Sequence, residues 1–522
     1  MKIYKLITLS LLVVCSIEAP AQFGYYQDAL RFSQTNYLVG STARMQGIAG
    51  AQVSLGGDMS LANSNPAGLG FFTKSSATFT LGLGFENSDD EFAGITTPNF
   101  KNTFGVNNAG VVINYNKGRF SEEKFKGGSL GISLAKINDF NREYRYEGES
   151  GTSLLDAVVG NLNAGNSGML EDAFYNQFLV DEVFHDGVLD PYDPNNYLIN
   201  AGIISPSQTG EFVDYASSII TIPYQQESIS ERGGQYQFNL SWGGNYDDKL
   251  YFGGGLGVQT LYFNRKRDYQ ENEFLDGGGN TDPFINSFTL EDNLVARGAG
   301  INTSFGMIVR PVQMLTLGVS YQSPTFLTIN EESDFKLSTD WGNFSYEDIN
   351  NDGTIYDLQS DVDPYLSTIT ETKYKIKTPA KLNLGATIFL GKLGFISGDV
   401  EMVDYSNAEL QSNDFSPLGD NQVILNSYES VLNYRVGAEI RMDVIRFRGG
   451  LALYPDPTNL GNDRDYLTFG IGYRSSDYFI DVALVNSNYQ QAYTPYSFGT
   501  SDLTVTSDVR STRIAFTAGF NF

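Results

Sequence analysis

The last nine residues are Ile514-Ala515-Phe516-Thr517-Ala518-Gly519-Phe520-Asn521-Phe522, in which apolar residues, most of them large, alternate with smaller or polar ones. Successive side chains of a β-strand point to opposite faces of the sheet, so this period of two predicts a strand with one apolar and one polar face. The same alternation recurs at residues 79–85, 236–242, 315–321 and 382–388. The fold class indicated by these segments is all-β.

Fourteen strands are predicted, centred near residues 81, 112, 133, 239, 257, 304, 318, 385, 398, 435, 450, 469, 482 and 517. Links after even-numbered strands are short, whereas the long links after odd-numbered strands include 148–234, 268–295, 322–378 and 405–428. Short turns at one end and long loops at the other are typical of a transmembrane antiparallel β-barrel of the outer membrane. Hydrocarbon cannot satisfy exposed backbone groups, so such a sheet must close on itself.

A soluble β-sandwich would show the same alternation, but two further features favour the barrel. The face opposite the apolar one is rich in Gly, Ser, Thr and Asn, which suits a crowded polar lumen. Aromatic residues also lie near strand ends, as in the interfacial girdles of membrane barrels.

Composition narrows the classes of function. The 522 residues include 61 Asp and Glu against 34 Lys and Arg, a formal net charge of -27. Nucleic acid is therefore excluded as a partner, because phosphate binding needs clustered basic residues. A single His, His185, makes a His-based catalytic triad improbable, and we expect no enzyme activity; a lipase embedded in the barrel is disfavoured for the same reason.

The N-terminus predicts export. Residues 1–21 combine Lys2 and Lys5, an apolar run over 6–17 and the cleavage pattern Ala19-Pro20-Ala21, which together indicate a signal peptide. The alternative is a lipoprotein acylated at Cys15. We expect the mature chain to reach the cell outer membrane of a Gram-negative bacterium.

Residues 22–74 lack strand periodicity and are dominated by small residues. Small side chains permit tight packing in a confined space, so the segment is predicted to fold into the lumen as a plug. The alternative is a loose tail outside the barrel.

A family resemblance rests on the order of several motifs. The pattern Arg44…Ala49…Ala51…Gly57-Asp58…Asn65-Pro66-Ala67-Gly68-Leu69 resembles the hatch of the FadL/TodX family of outer-membrane transport proteins. Tyr321-Gln322-Ser323-Pro324 and Thr378-Pro379-Ala380 resemble the ends and starts of strands in that family.

The resemblance implies a hatch over residues 22–74 and a fourteen-stranded barrel over 75–522. It implies passive uptake of long-chain fatty acids or other hydrophobic small molecules, which in the family leave sideways into the membrane. The alternative is a role as a protein-interaction component of a secretion shuttle, which some relatives have. The hatch and gating residues that it implies are Arg44, Asp58, Asn65, Pro66, Ala67 and Gly68.

The long 148–234 loop contains two apolar segments with helical spacing. They are candidates for a ligand groove, since burying each CH₂ of an acyl chain contributes about 0.8 kcal/mol. Packing of the two helices on each other over the barrel mouth is an equal alternative. The candidate groove residues are Phe174, Phe178, Leu179 and Phe184.

One acidic loop resembles a calcium-binding sequence. Asp348, Asn350 and Asp352 supply side-chain oxygens at positions one, three and five, and Thr354 could supply a backbone carbonyl at position seven. Position twelve is Gln359 instead of Glu, so a plain acidic turn is the alternative. No other cofactor is expected.

The remaining expected partners follow from the barrel itself. They are the hydrophobic ligand, outer-membrane lipid and lipopolysaccharide, and the insertion machinery, which would read the terminal strand 514–522. The protein is expected to be a monomer.

Overall fold

A computed structural model describes residues 24–36, 38–117, 123–166, 168–184, 212–217, 222–275, 285–342, 345–347, 355–358, 362–498 and 501–522. The predicted signal peptide 1–21, with Cys15, lies outside the described residues, as does His185.

The described helices are few and short. They are α1 Tyr25–Ser33, α2 Ala43–Gln46, α3 Leu61–Ser64, α4 Leu154–Asn163, α5 Met169–Asn176 and α6 Leu418–Ser427, with 3₁₀ helices at Pro66–Phe71 and Tyr405–Asn407. Within the described part of the chain, no helix is long and apolar enough to cross a membrane.

Strands make up most of the described chain. They are β1 Ser76–Phe92, β2 Ile95–Asn116, β3 Phe125–Asp139, β4 Arg142–Glu149, β5 Val180–Phe184, β6 Phe212–Ser217, β7 Ile222–Tyr246, β8 Leu250–Leu275, β9 Ile285–Val312, β10 Leu315–Gln322, β11 Phe326–Trp341, β12 Ser345–Glu347, β13 Ile355–Asp357, β14 Tyr365–Leu366, β15 Thr370–Lys377, β16 Lys381–Phe389, β17 Gly394–Asp404, β18 Glu409–Ser412, β19 Ser430–Met442, β20 Ile445–Tyr454, β21 Arg464–Arg474, β22 Tyr478–Tyr493, β23 Ser497–Phe498, β24 Ser501–Asp502 and β25 Val505–Asn521.

Fourteen of these strands form a closed antiparallel ring. Its order is β1, β2, β3, β7, β8, β9, β10, β16, β17, β19, β20, β21, β22 and β25. The ring closes where β25 pairs with β1, from Ser76 opposite Asn521 to Glu91 opposite Thr506. The prediction of a closed barrel of about 14 strands is confirmed, and every predicted strand centre falls inside one of these strands.

The two ends of the barrel differ. At one end, called here the short-turn end, strands join through tight turns, and the first and last strands meet where the Phe522 N–H donates to the Ser75 carbonyl. At the opposite, long-loop end, β4, β11, β14, β15 and β18 extend the sheet beyond the ring. Three separate two-stranded sheets, β5–β6, β12–β13 and β23–β24, complete the strand pairings.

The predicted loops 268–295 and 322–378 contain more strand than expected. β8 continues to Leu275, β9 begins at Ile285, and β11 runs to Trp341. The sequence hid these extensions because the outward face becomes polar there, as at Lys266 and Asp268, so the apolar outer face of the ring strands no longer marks them. A bilayer needs strands of only about 9–11 residues, so the 28-residue β9 extends far beyond a membrane.

The outer surface of the ring carries a belt of exposed apolar side chains. They include Phe79, Leu83, Phe104, Leu240, Leu256, Ile301, Phe305, Leu317, Leu384, Val436, Leu451, Phe469, Ile480 and Phe516. Such a belt would be unfavourable in water but matches the lipid-facing surface of a transmembrane barrel.

The N-terminal segment, defined here as residues 24–73, lies inside the ring. The Ala43 N–H donates to Thr517 Oγ1 of β25 at 2.7 Å, and Ser241 Oγ of β7 donates to the Ala62 carbonyl at 2.7 Å. The Val53 N–H donates to Asp399 of β17 at 2.9 Å. These wall residues come from well-separated strands of the ring, so only a segment within the lumen can reach all of them.

Inward-facing glycines allow this close approach. A Cβ added at Gly450 would lie 2.6 Å from the Ile48 carbonyl carbon and 2.8 Å from the Ala49 nitrogen. A Cβ at Gly253 would lie 2.6 Å from the carbonyl carbon of Pro66. Backbone therefore packs directly on backbone, which explains why the polar face of the strands is rich in Gly.

Candidate functional site: the filled lumen and the chamber above it

Arg44 of α2 links the N-terminal segment to the barrel wall. Its guanidinium lies 3.7 Å from Asp58 within the segment and 3.8 Å from Glu439 of β19, and it donates to the Gly57 carbonyl at 3.2 Å. Asp58 is fixed in turn by the Thr42 hydroxyl, which donates at 2.9 Å. Arg44 and Asp58 thus form the start of a buried ionic cluster.

The cluster continues through the wall strands. Glu439 pairs with Arg448 of β20 at 2.8 Å and with Arg441 at 2.8 Å, and Arg448 pairs with Asp481 of β22 at 2.6 Å. Arg474 of β21 reaches Asp481 at 3.5 Å. Removing one partner from such a buried network leaves an uncompensated charge, which is costly. The docked position of the segment is therefore coupled electrostatically to four wall strands, β19 to β22.

The Asn65-Pro66-Ala67-Gly68 motif forms a buried corner of the segment. Asn65 donates from its amide to the Val53 carbonyl at 2.6 Å and accepts the Ala67 N–H at 3.2 Å. Pro66 begins the 3₁₀ helix, a position where its missing N–H costs nothing. The Gly68 carbonyl accepts the Gly57 N–H at 3.1 Å, which places the corner beside Asp58.

The structure thus brings the six predicted hatch residues into one folded unit packed against the wall. Their assignment to gating is not tested by this geometry and stays a prediction.

An apolar chamber lies on the long-loop side of this unit, and α1 occupies it. Phe32 is fully buried and makes edge-to-face contacts with Phe263 of β8 at 5.9 Å and with Phe140 at 5.6 Å between ring centroids. Strand and loop residues complete the buried cluster: Leu261, Ala296, Leu327, Ile329, Tyr374, Ile376, Val403, Tyr405, Ala408, Leu410, Ile424, Tyr428 and Val431.

The polar face of α1 enters a second set of buried charges. Tyr374 Oη lies 2.9 Å from Asp28 and 3.1 Å from Glu331, and Arg31 pairs with Asp28 at 3.1 Å. One phenolic proton can be donated to only one carboxylate at a time. Burial raises the pKa of Asp28, and it also raises the pKa of Glu331, so an added proton is readily held here. Sequence analysis did not single out these residues, because each one alone looks like a surface polar residue.

The predicted groove residues lie in the cap at the long-loop end. Phe174 and Leu179 are fully buried in a cluster with Leu155 and Trp341, and the Phe174 ring packs edge-on to Phe288 at 5.7 Å. This position fits the alternative that α4 and α5 pack on each other.

Phe178 differs from these two, because 41% of its surface is exposed and its φ is +58°. The side chain of Phe184, in β5, lies outside the described part of the chain. Ligand binding by the four residues stays a prediction.

Glu271 anchors the cap to the barrel. Its carboxylate accepts hydrogen bonds from the Leu154 N–H at 2.7 Å, from Tyr269 at 2.6 Å and from Gln225 at 2.9 Å. It also accepts one from Ser153, the N-cap of α4. Burial raises the pKa of Glu271 to about 7, and the four donors only partly offset this effect.

The predicted calcium loop, with Asp348, Asn350, Asp352 and Thr354, lies outside the described residues. Among the residues that are described, no group of three or more His, Cys, Asp and Glu is arranged to hold a metal ion.

A cavity of about 400 Å³ opens at the short-turn end, between the N-terminal segment and the wall. It is lined by Gly57, Asp58, Met59, Phe71, Phe72, Thr73, Lys74, Ser76, Thr78, Arg474, Ser476, Phe479 and Asn521.

Comparison with known proteins gives a likeness in fold. No protein-family model matches the chain, and no curated protein matches it in sequence. A Pseudomonas aeruginosa FadL homologue of known structure superposes with a TM-score of 0.52 at 13% identity, over 92% of this chain and 98% of that one. The toluene transporter TodX of P. putida superposes with a TM-score of 0.52 at 10% identity, over 93% and 99%.

At these identities the likeness shows a shared fold over nearly the whole length of both chains. The resemblance inferred from the hatch and strand motifs is confirmed at the level of the fold.

Proposed function

We propose that this chain is an outer-membrane transporter for passive uptake of hydrophobic small molecules, with the N-terminal segment acting as a hatch. One observation carries the proposal: a closed barrel with an apolar outer belt holds a folded segment in its lumen, below an apolar chamber. The short-turn end would face the periplasm, as in outer-membrane barrels generally.

The apolar chamber supports a hydrophobic ligand. Leu261 and Phe263 of β8, Ile329 of β11 and Ile376 of β15 belong to the same buried cluster as α1. A ligand that displaced α1 would contact the same apolar side chains in its place. Each CH₂ of the ligand buried there would contribute about 0.8 kcal/mol to binding. Long-chain fatty acids fit this chemistry, as do aromatic hydrocarbons, and the chamber alone does not discriminate between them.

The solved structures with the same fold support the same class of ligand. One is titled a FadL homologue and the other a toluene transporter. By contrast, nothing in the described residues favours a protein-secretion role.

A seam in the wall supports sideways release. β2 pairs with β3 only from Asn108 opposite Ala135 to Asn116 opposite Gly127, although its ladder with β1 continues to Ile95. Above Asn108 the described contacts across this seam are between side chains or from a side chain to backbone, including the Lys101–Glu143 ion pair at 2.8 Å. Fewer backbone hydrogen bonds make this the part of the ring that we expect to open most readily.

A reversible lock tests the transport role of the hatch. A Cβ at Gly47 would lie 3.1 Å from the Gly470 Cα, and one at Gly470 would lie 3.2 Å from the Gly47 Cα. Gly47 and Gly470 therefore lie against each other where the segment meets the wall, and a disulfide in the variant Gly47→Cys/Gly470→Cys would tie the two together. Cells that carry it should take up radiolabelled oleate or toluene slowly when it is oxidised and faster after reduction.

Gly47→Cys alone is the matched control, and it should take up both compounds at the same rate with or without reductant. Uptake no faster than in cells that lack the protein, for both compounds and under both conditions, would show that the chain is not this kind of transporter.

A further inference from the structure

The cavity at the short-turn end has an apolar side and a polar rim. Met59 and Phe479 are buried in its walls, and Phe72 lines it beside them. The Arg474 guanidinium lies 4.5 Å above the centre of the Phe479 ring, so a cation and an aromatic face adjoin each other. Ligand pockets typically measure about 300–1,000 Å³, and about 400 Å³ is enough for a small amphiphile.

The rim carries a cation that is only weakly paired. Lys74 Nζ lies 3.6 Å from Asp477, and the two side chains are 54% and 65% exposed. Exposed pairs of this kind contribute about 0–1 kcal/mol, so an incoming anion can replace Asp477 at little cost.

The carboxylates near the cavity are already engaged. Asp58 interacts with Thr42, Arg44 and the Ser60 N–H. Asp481 pairs with Arg448 at 2.6 Å, which leaves Arg474 the more distant partner at 3.5 Å. Arg474 is therefore less fully compensated than Asp58 or Asp481, whereas Lys74 and Asp477 at the rim form an ion pair with each other.

We propose that this cavity binds a small amphiphile that carries one carboxylate. The carboxylate lies between Lys74 and Arg474, and the apolar body packs on Met59, Phe72 and Phe479. The inference rests on the proposed transport function and narrows it, since it adds a second, periplasm-facing site that favours carboxylated compounds over neutral ones.

Photolabelling tests this site directly. The purified full-length protein, in nanodiscs of phosphatidylcholine only, is irradiated with decanoate that carries a diazirine at its apolar end, and the modified peptides are mapped. We expect labelling of the peptides that contain Met59, Phe72 or Phe479. Unlabelled decanoate should compete at a concentration about tenfold lower than decanol, because decanol lacks the charge.

Two variants separate the site from its surroundings. Lys74→Gln should lower labelling about three- to tenfold, because the carboxylate loses the cation at the rim. The control is Lys249→Gln, a 73% exposed lysine paired with Asp247 in another turn at the same end, which should label like the natural protein. The difference in gel migration between heated and unheated samples shows whether each variant is folded.

Any of three results would overturn this site. They are labelling of Lys74→Gln equal to that of the natural protein, equal competition by decanol and decanoate, and labelling confined to the outer belt or the α1 chamber. None of these outcomes bears on uptake, which the disulfide lock measures separately.

Discussion

Replacing Gly450 by alanine should loosen the N-terminal segment without altering the barrel. Gly450 faces inward, and its new Cβ would lie 2.6 Å from the Ile48 carbonyl carbon and 2.8 Å from the Ala49 nitrogen. Both atoms belong to the backbone, so no side chain can rotate away, and the segment itself must shift. The Ala49 N–H would then lose its 3.0 Å hydrogen bond to Thr468.

The size of the effect follows from these contacts. Overpacking a tight interior costs about 1–3 kcal/mol, and the lost hydrogen bond adds about 1 kcal/mol. The total is about 2–4 kcal/mol. Since each 1.4 kcal/mol changes an equilibrium constant about tenfold, the undocked state of the segment should be about 30- to 700-fold more populated.

Hydrogen exchange measured by mass spectrometry can detect this change. Peptides covering residues 42–55 should exchange faster in Gly450→Ala by about the factor above, while peptides from β8 and β9 should not change. Gly449→Ala is the matched control, since its Cβ would face outward with the Thr468 carbonyl 3.9 Å away as its one neighbour within 4 Å. Equal exchange of residues 42–55 in both variants and in the natural protein would refute the packing argument.

Three further variants test other contacts. Arg44→Met should weaken docking of the segment by about 1–3 kcal/mol, because Glu439 loses one of the three cations that surround it. Faster protease cleavage within residues 42–60 should report this loss. Phe32→Ala should weaken the docking of α1 by about 3–5 kcal/mol, seen as faster exchange of residues 25–33. The raised pKa of Glu271, about 7 against an ordinary 4.5, means that the folded cap binds a proton more tightly than the unfolded one. Cap stability should therefore be full below pH 4.5 and decline as the pH rises to 7, and exchange of residues 153–163 should lose this pH dependence in Glu271→Gln; a flat profile in the natural protein would contradict the assignment.

Sequence alternation located the ring strands because lipid and a packed lumen impose opposite demands on the two faces. The period of two is strong at Leu315–Gln322 and at Lys381–Phe389, which pair directly with each other in the barrel. Where the same strands continue into water, as in β11 and β15, the outward face turns polar, as at Lys373 and Lys375, and the apolar outer face of the ring strands is lost. The motifs around Pro324 and Pro379 mark this change, and there the Thr325 N–H donates to Thr378 Oγ1 at 2.9 Å.

The contacts between the buried charged residues could not be predicted from the sequence alone. Asp28 lies hundreds of residues from Glu331 and Tyr374, which are themselves 43 residues apart on different strands, and no periodicity relates the three. The same holds for Arg44 and Glu439, which meet only because the segment enters the lumen. The small-residue pattern of residues 22–74 predicts tight packing in a confined space, since side-chain volume is a local property.

The sequence by itself determined the closed all-β barrel, the number of its strands and the end at which its long connections lie, because each strand carries its own two-faced pattern. Tertiary structure alone decided what fills the interior: α1 in the apolar chamber, the ionic cluster from Arg44 to Asp481, and the cavity between Lys74 and Phe479. Those features depend on contacts between residues far apart in the chain, and a contact of that kind leaves no periodic trace in either partner.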